Sequence, residues 1–276
     1  MRYIELNIKL KEVFPYSEIL IAKLNEINFE GYNECDDGIK AYVQVDLFNQ
    51  DLVDRVIFDI RKFTEINYHF VELEEYNWNK QWEENFEPVH INKDCVIRAS
   101  FHKKFSDKEY ELIITPKMSF GTGHHETTYL MINEMFNINF KKKNVLDIGS
   151  GTGILSILSS LLGANTITGI DIDENAFLNS QENALLNNVN NVAFSKETVD
   201  TVSGDYDIIL ANINRNVILN DIHKYIQCMR KDACLLLSGF FEEDIPLIFD
   251  EKIKSFLKLI TLKNKNKWQI LHLQKK

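Results

Sequence analysis

The residues best suited to do chemistry lie in the second half of the chain. The apolar run Val145-Leu146-Asp147-Ile148 leads into Gly149-Ser150-Gly151-Thr152-Gly153 and then into Ile154-Leu155. Glycines at alternate positions let the main chain turn sharply and lie close to a ligand. The helix expected behind them offers free N–H groups and a positive dipole end. The spacing is G-x-G-x-G, not the G-x-G-x-x-G that cradles a pyrophosphate. It suits a phosphate-free nucleoside such as S-adenosylmethionine, whose adenosine and methionine parts can lie across the tighter loop. The next apolar strand closes on Asp171-Ile172-Asp173. An acidic side chain at that tip can accept hydrogen bonds from both ribose hydroxyls, which makes Asp171 the candidate. The reading of the loop therefore takes Gly149, Gly151, Gly153 and Asp171 as cofactor-binding residues. For Asp147 two roles stay open: positioning the loop, or facing the ligand's amino group.

Two further segments carry polar groups toward the same place. Asp207-Ile208-Ile209-Leu210-Ala211-Asn212 is an apolar strand ending in Asn212. In a doubly wound sheet the fourth strand lies beside the first, so Asn212 faces the transferred methyl and can orient an amine by accepting its hydrogens. Phe120-Gly121-Thr122-Gly123-His124-His125-Glu126-Thr127-Thr128 is a glycine-rich turn running into a helical pattern. Its threonine hydroxyls can cap that helix or meet the cofactor, and His125 is a candidate general base alongside water. No third ligand stands at a usable spacing from the histidines, so no metal site is expected.

The elements that must position these residues are legible as patterns. From about Lys141, strands fit 144–148, 166–172, 192–195, 206–212, 233–239, 258–261 and 268–273, with helices between most of them. That alternation predicts a mainly parallel sheet covered on both faces. Two short strands are expected before it, at 95–101 and 110–114. The first quarter reads β-α-β-β-α-β, the ferredoxin-like order. Its strands fall at 3–10, 32–35, 39–45 and 67–73. One helix opens after Pro15 with Ser17 as N-cap and ends by Gly31, and a second covers 50–63. Between the halves, Trp78, Trp82 and Phe86 stand at steps of four and predict a helical connector. The organisation expected is 1–74, a connector at 75–90, and 91–276.

Composition bounds the rest. The chain has 276 residues, 45% apolar and 26% charged, as expected of a globular protein. It has no apolar run near the roughly 18 residues that span a membrane and no signal-peptide pattern at its start. A cytoplasmic location follows by default. Cys35, Cys95, Cys228 and Cys234 are scattered without a CxxC pair, which suits a reducing compartment. The net charge of −10 opposes phosphate binding, so no direct contact with nucleic acid is expected. Residues 1–75 hold 16 acidic against 8 basic side chains, so the front module would attract a basic partner.

Together these segments resemble the ribosomal protein L11 methyltransferases, within the class I methyltransferase superfamily. The resemblance rests on Phe120-Gly121-Thr122-Gly123 with His125 and Thr127-Thr128, on Leu146–Leu155, on Gly169–Asp173, on Ala211-Asn212-Ile213 and on the Trp78…Trp82…Phe86-Glu87-Pro88 connector. It implies a Rossmann-like α/β domain with a seven-stranded, mostly parallel sheet, preceded by a small ferredoxin-like α+β domain that docks ribosomal protein L11. It implies S-adenosylmethionine as cofactor, methylation of the N-terminal α-amine and of lysine ε-amines, and a chain working as a monomer. Carried over residue by residue, the cofactor contacts are Thr128, Gly149, Asp171 and Asn212. Thr115-Pro116-Lys117 departs from the family's Asp-Pro-Gly, and Asn214 and Arg215 depart from its small or apolar residues. The competing readings are a methyltransferase acting on RNA or on another protein, a dehydrogenase using NAD, and a non-enzymatic module with a vestigial cofactor fold.

Overall fold

The computed structural model describes residues 2–73, 86–117 and 119–276. The chain forms two compact units, 1–85 and 86–276.

In the first unit, β1 (Tyr3–Leu10), β2 (Gly31–Cys35), β3 (Gly38–Gln44) and β4 (Ile66–Leu73) form an antiparallel sheet in the order β2-β3-β1-β4. Strand alternation sorts the faces: Ile4, Leu6, Ile8 and Leu10 are buried, while Tyr3, Glu5, Asn7 and Lys9 face the other way. Helices α1 (Tyr16–Asn25) and α2 (Gln50–Arg61) bring Leu20, Leu24, Val53, Ile57 and Ile60 onto the buried face. Asn49 caps α2 by accepting from the Leu52 N–H. Helix α1 starts two residues earlier than its hydroxyl suggested. Pro15 occupies the N-cap, and Ser17 is buried in the first turn with its N–H donated to the Val13 carbonyl. It also stops well short of Gly31, because Phe29 turns its N–H back to the Leu24 carbonyl and Asn28 takes a left-handed conformation (φ 71°).

Most of the expected connector, with Trp78 and Trp82, lies outside the described residues. Its last part is not helical: residues 86–88 have no regular structure, and Val89–His90 is a strand (β5) paired with the strand at Cys95–Arg98 (β6). A Pro at 88 removes a donor that a helix there would need.

In the second unit, β5, β6 (Cys95–Arg98) and β7 (Tyr110–Ile113) make a small sheet. The main sheet contains β8 (Asn144–Ile148), β9 (Thr166–Asp171), β10 (Val192–Lys196), β11 (Tyr206–Asn212), β12 (Met229–Phe241), β13 (Leu257–Lys265) and β14 (Trp268–Lys275). Its order is β10-β9-β8-β11-β12-β14-β13, parallel except for β14, which runs antiparallel to both neighbours. Helices α3 (Glu126–Met135), α4 (Ile154–Leu161) and α5 (Glu174–Leu186) cover one face, around Met131, Leu155, Ile157 and Leu210. Helices α6 (Arg215–Cys228), α7 (Ile245–Ile248) and α8 (Glu251–Phe256) cover the other, around Leu146, Ile209, Ile222 and Tyr225. Chain direction reverses its progress across the sheet between β8 and β11, and ligands of open α/β sheets bind beyond the strand ends at such a point. No helix among the described residues is long and apolar enough to cross a membrane.

Candidate active site

The glycine loop leaves β8 at that switch point. Gly149 and Gly151 have φ of +68° and +55°. A Cβ on Gly149 would lie 2.3 Å from Ile213 Cγ2, and one on Gly151 would lie 2.4 Å from the Phe120 carbonyl oxygen, so no side chain fits at either position. The loop is fixed from several sides. The Gly149 and Ser150 N–H groups donate to the Ile170 carbonyl (2.9 and 3.0 Å), and the Thr152 N–H and hydroxyl donate to the Phe120 and Gly121 carbonyls (3.0 and 2.7 Å).

A cavity of about 660 Å³ opens over this loop, within the roughly 300–1,000 Å³ usual for small-molecule sites. Gly149, Gly151, Asp171, Asn212 and His125 all border it. Gly153 does not. It caps α4 and packs against the Phe194 and Ser180 side chains behind the loop. Thr128 does not border the cavity either. It is fully buried in α3, where its hydroxyl accepts from Asn212 Nδ2 at 3.3 Å, and it meets the cavity only through that residue.

At the tip of β9, Asp171 Oδ2 accepts from the Gly151 N–H (2.9 Å) and Oδ1 from the Asp173 N–H (3.0 Å). Both oxygens are aimed by main chain, and each keeps a lone pair for a further donor. Asp147 is buried behind the loop and lies outside the cavity lining. Its Oδ2 accepts from the Ser156 N–H (3.1 Å) and hydroxyl (2.7 Å), while Oδ1 has no partner. Burial pushes its carboxyl up to about 7, against the lowering effect of the Ser156 bonds and with the nearby Asp171 charge adding to the rise. Of its two open roles, the geometry supplies the first: it ties β8 to the first turn of α4.

The Asn212 carboxamide is only half engaged. Nδ2 is held by Thr128, and Oδ1 is buried with no partner. His125 caps α3, its Nδ1 accepting from the Thr127 N–H (3.3 Å) and lying 2.8 Å from the Thr127 hydroxyl. The neutral ring therefore carries its hydrogen on Nε2, which leaves that nitrogen a donor and not a base. The ring stands between Phe120 and Trp268, centroids 5.2 and 4.8 Å away, and Phe241 extends this wall at 4.4 Å from Trp268. Among the described residues no cluster of three His, Cys, Asp or Glu is placed to hold a metal.

A model of the family described as "Ribosomal protein L11 methyltransferase (PrmA)" matches residues 17–276. The chain belongs to that family. A ribosomal protein L11 methyltransferase of Bacteroides thetaiotaomicron is 42% identical over 256 residues, 91% of each chain. One of Porphyromonas gingivalis is 37% identical, over 92% of this chain and 89% of its own. The crystal structure of a ribosomal protein L11 methylase from Lactobacillus delbrueckii subsp. bulgaricus superposes with a TM-score of 0.62 at 25% identity, covering 69% of this chain and 98% of that one.

Against the family pattern, the departures lie mostly around the site and not in it. Arg215 opens α6 and pairs with the buried Asp244 (2.8 Å), which also accepts from the Phe241 N–H, so it braces the turn after β12 without bordering the cavity. Asn214 does border the cavity, and its side chain caps α6 through the Val217 N–H. Lys117 pairs with Glu182 on α5. Residues that motif reading passed over also line the cavity: Ser119, whose hydroxyl is buried without a partner, Val199, Asp221 and Trp268. Trp268 was legible only as the start of a strand. A lone indole after Lys-Asn-Lys-Asn-Lys was the available signal, and the insertion of β14 beside β12 is what returns it to the cavity.

Proposed function

We propose that this chain transfers methyl groups from S-adenosylmethionine to amine nitrogens of ribosomal protein L11, the N-terminal α-amine and lysine ε-amines. The observation that carries the reading is Asn212: an amide whose nitrogen is committed to Thr128 and whose oxygen waits, buried, beside the glycine loop. An unpaired buried acceptor costs about 1–3 kcal/mol, a cost that an amine N–H would remove. The residues also fit the cofactor. The Gly149 and Gly151 main chain leaves room that a Cβ would fill, and Asp171 presents a fixed carboxylate suited to a ribose diol.

When bound, the cofactor supplies an electrophilic methyl on a sulfonium sulfur. The protein's part is alignment and delivery of a neutral amine. A lysine in water holds its proton to about pH 10.4. The aromatic wall of Phe120, His125 and Trp268 is poorly suited to an ammonium's water shell and favours the neutral form. Asn212 Oδ1 then accepts an amine hydrogen and turns the lone pair toward the methyl carbon. His125, donating from Nε2, serves orientation in this reading. The acidic first unit is the docking module for L11, and the enzyme works as a single copy in the cytoplasm.

Methyl transfer from labelled S-adenosylmethionine, with purified L11, ribosomal RNA and bulk basic proteins as parallel acceptors, tests this. Label on L11 alone is expected. Label on RNA and not on L11 would overturn the choice of substrate.

A further inference from the structure

Asp221 borders the cavity, and the methyl transfer makes no use of it. It stands on α6, about one turn past Val217, which borders the cavity too. Its Oδ1 accepts from Lys224 Nζ at 2.8 Å, and the same ammonium meets Asp200 at 2.5 Å in the turn that follows β10. Lys224 thereby ties α6 to that turn and fixes the Asp221 carboxylate from one side. Among the described residues Asp221 Oδ2 has no hydrogen-bond partner.

Strand order divides the cavity lining about Asp171, at the tip of β9. On one flank stand β8 with the glycine loop, β11 with Asn212 and β14 with Trp268. On the other stands β10, followed by Glu197, Thr198 and Val199, and Lys224 brings Asp221 to that side. In S-adenosylmethionine the sulfonium and the purine leave opposite ends of the ribose. With the ribose on Asp171 and the methyl at Asn212, the purine falls on the β10 flank. Ile172, Val199 and Val217 give that flank apolar surface for the faces of a flat ring, and their side chains offer no hydrogen bond. Of the carboxylates there, Asp173 and Glu197 are exposed and Asp221 is partly buried, so an unmade bond costs most at Asp221.

We propose that Asp221 reads the purine: its open oxygen accepts a hydrogen of adenine's 6-amino group and makes the site select an aminopurine over an oxopurine. The inference rests on the reading that Asp171 holds the ribose. A carboxylate accepts and does not donate, so it favours the amino group and opposes an oxygen at the same position. Calorimetry with S-adenosylhomocysteine, its 6-deamino analogue and its inosine analogue tests this without turnover. Asp221→Ala should weaken S-adenosylhomocysteine about fivefold, as expected for one hydrogen bond, and leave the 6-deamino analogue within about twofold. Asp221→Asn, whose amide can donate, should bind the inosine analogue more tightly than the wild type does. Lys224→Met, which loses the tie to the turn and keeps the carboxylate, should retain the wild-type preference for S-adenosylhomocysteine over the 6-deamino analogue.

An equal loss on S-adenosylhomocysteine and its 6-deamino analogue in Asp221→Ala would reduce Asp221 to a brace for α6 and overturn the proposal. So would loss of the preference in Glu197→Gln with the preference kept in Asp221→Ala. Asp171→Ala should weaken both ligands alike, since both carry the ribose. If it weakened neither, the ribose reading would fail, and the Asp221 comparison would still decide whether that carboxylate reads the amine.

Discussion

At the scale of the residue, the site depends on main-chain space and on one amide. Gly151 has a left-handed backbone and the Phe120 carbonyl where a side chain would begin. Gly151→Ala should therefore weaken S-adenosylhomocysteine binding at least tenfold by calorimetry, about 1.4 kcal/mol, with the far-ultraviolet spectrum kept. Asp171→Asn keeps the acceptor geometry at one oxygen and loses charge, and should weaken binding less than Asp171→Ala does in the same titration. Asp147 makes a prediction about pH. Its folded carboxyl titrates near 7, above its unfolded value near 3.9. The native state then holds this proton where the unfolded chain has lost it. Stability from this group is fully present below pH 4 and is lost as pH rises toward 7. Between pH 5 and 7 the wild type should lose about 2 kcal/mol relative to Asp147→Asn in urea titrations. Equal pH slopes for the two proteins would contradict that assignment. The motifs showed Gly149, Gly151, Asp171 and Asn212, because each is set by a single residue type at or just past a strand end. They did not separate residues that border the cavity from Gly153 and Thr128 behind it, since that depends on what packs against each, Phe194 in one case and Asn212 in the other.

At the scale of the element, the C-terminal hairpin of β13 and β14 braces α3. Glu134 is buried on α3, with Lys263 Nζ at 2.6 Å and His272 Nδ1 at 2.8 Å, both from the hairpin. Burial acts to raise its pKa, but the bonds from Lys263 and His272 prevail and hold the carboxyl below the usual range. At the hairpin's tip Asn266 donates to Glu126, and Lys265 lies over the Tyr129 ring. Lys263→Met leaves a buried carboxylate short of a partner and should cost about 1–3 kcal/mol, read as a lower Tm for the catalytic unit. A Tm unchanged within a degree would show that the brace is idle. Strand periodicity located most of these elements within a few residues. The pairing that sets β14 between β12 and β13 was not legible, because which strands neighbour one another is decided by long-range packing and not by period. The same limit hid Trp268.

At the scale of the whole molecule, the two units have separate cores, one around Leu6, Leu20 and Ile57 and the others on the two faces of the main sheet. The β-α-β-β-α-β order of the first unit and the alternating elements of the second were both readable from hydrophobic pattern. The connector was the exception in its last residues. A stripe of aromatics at helical spacing pointed to a helix through residue 90, yet Phe86 spends its ring on His102 and His124 and Val89 pairs with Ile97. Side-chain spacing alone does not distinguish a helical face from aromatics recruited one by one. The net charge of −10 and the acidic first quarter give the molecule a field that favours a basic protein over a polyanion. L11 methylation should accordingly slow as salt rises, through KM more than through kcat.

The most direct test of the central claim is site-mapped mass spectrometry of L11 after reaction with S-adenosylmethionine, comparing the wild type with Asn212→Ala at matched enzyme and cofactor saturation. Methyl groups on the N-terminal amine and on lysines, formed at least tenfold more slowly by Asn212→Ala, a barrier change of about 1.4 kcal/mol or more, is the predicted result. Methylation by Asn212→Ala within threefold of the wild type would contradict the role given to that amide, and an unmodified L11 in both reactions would contradict the function itself.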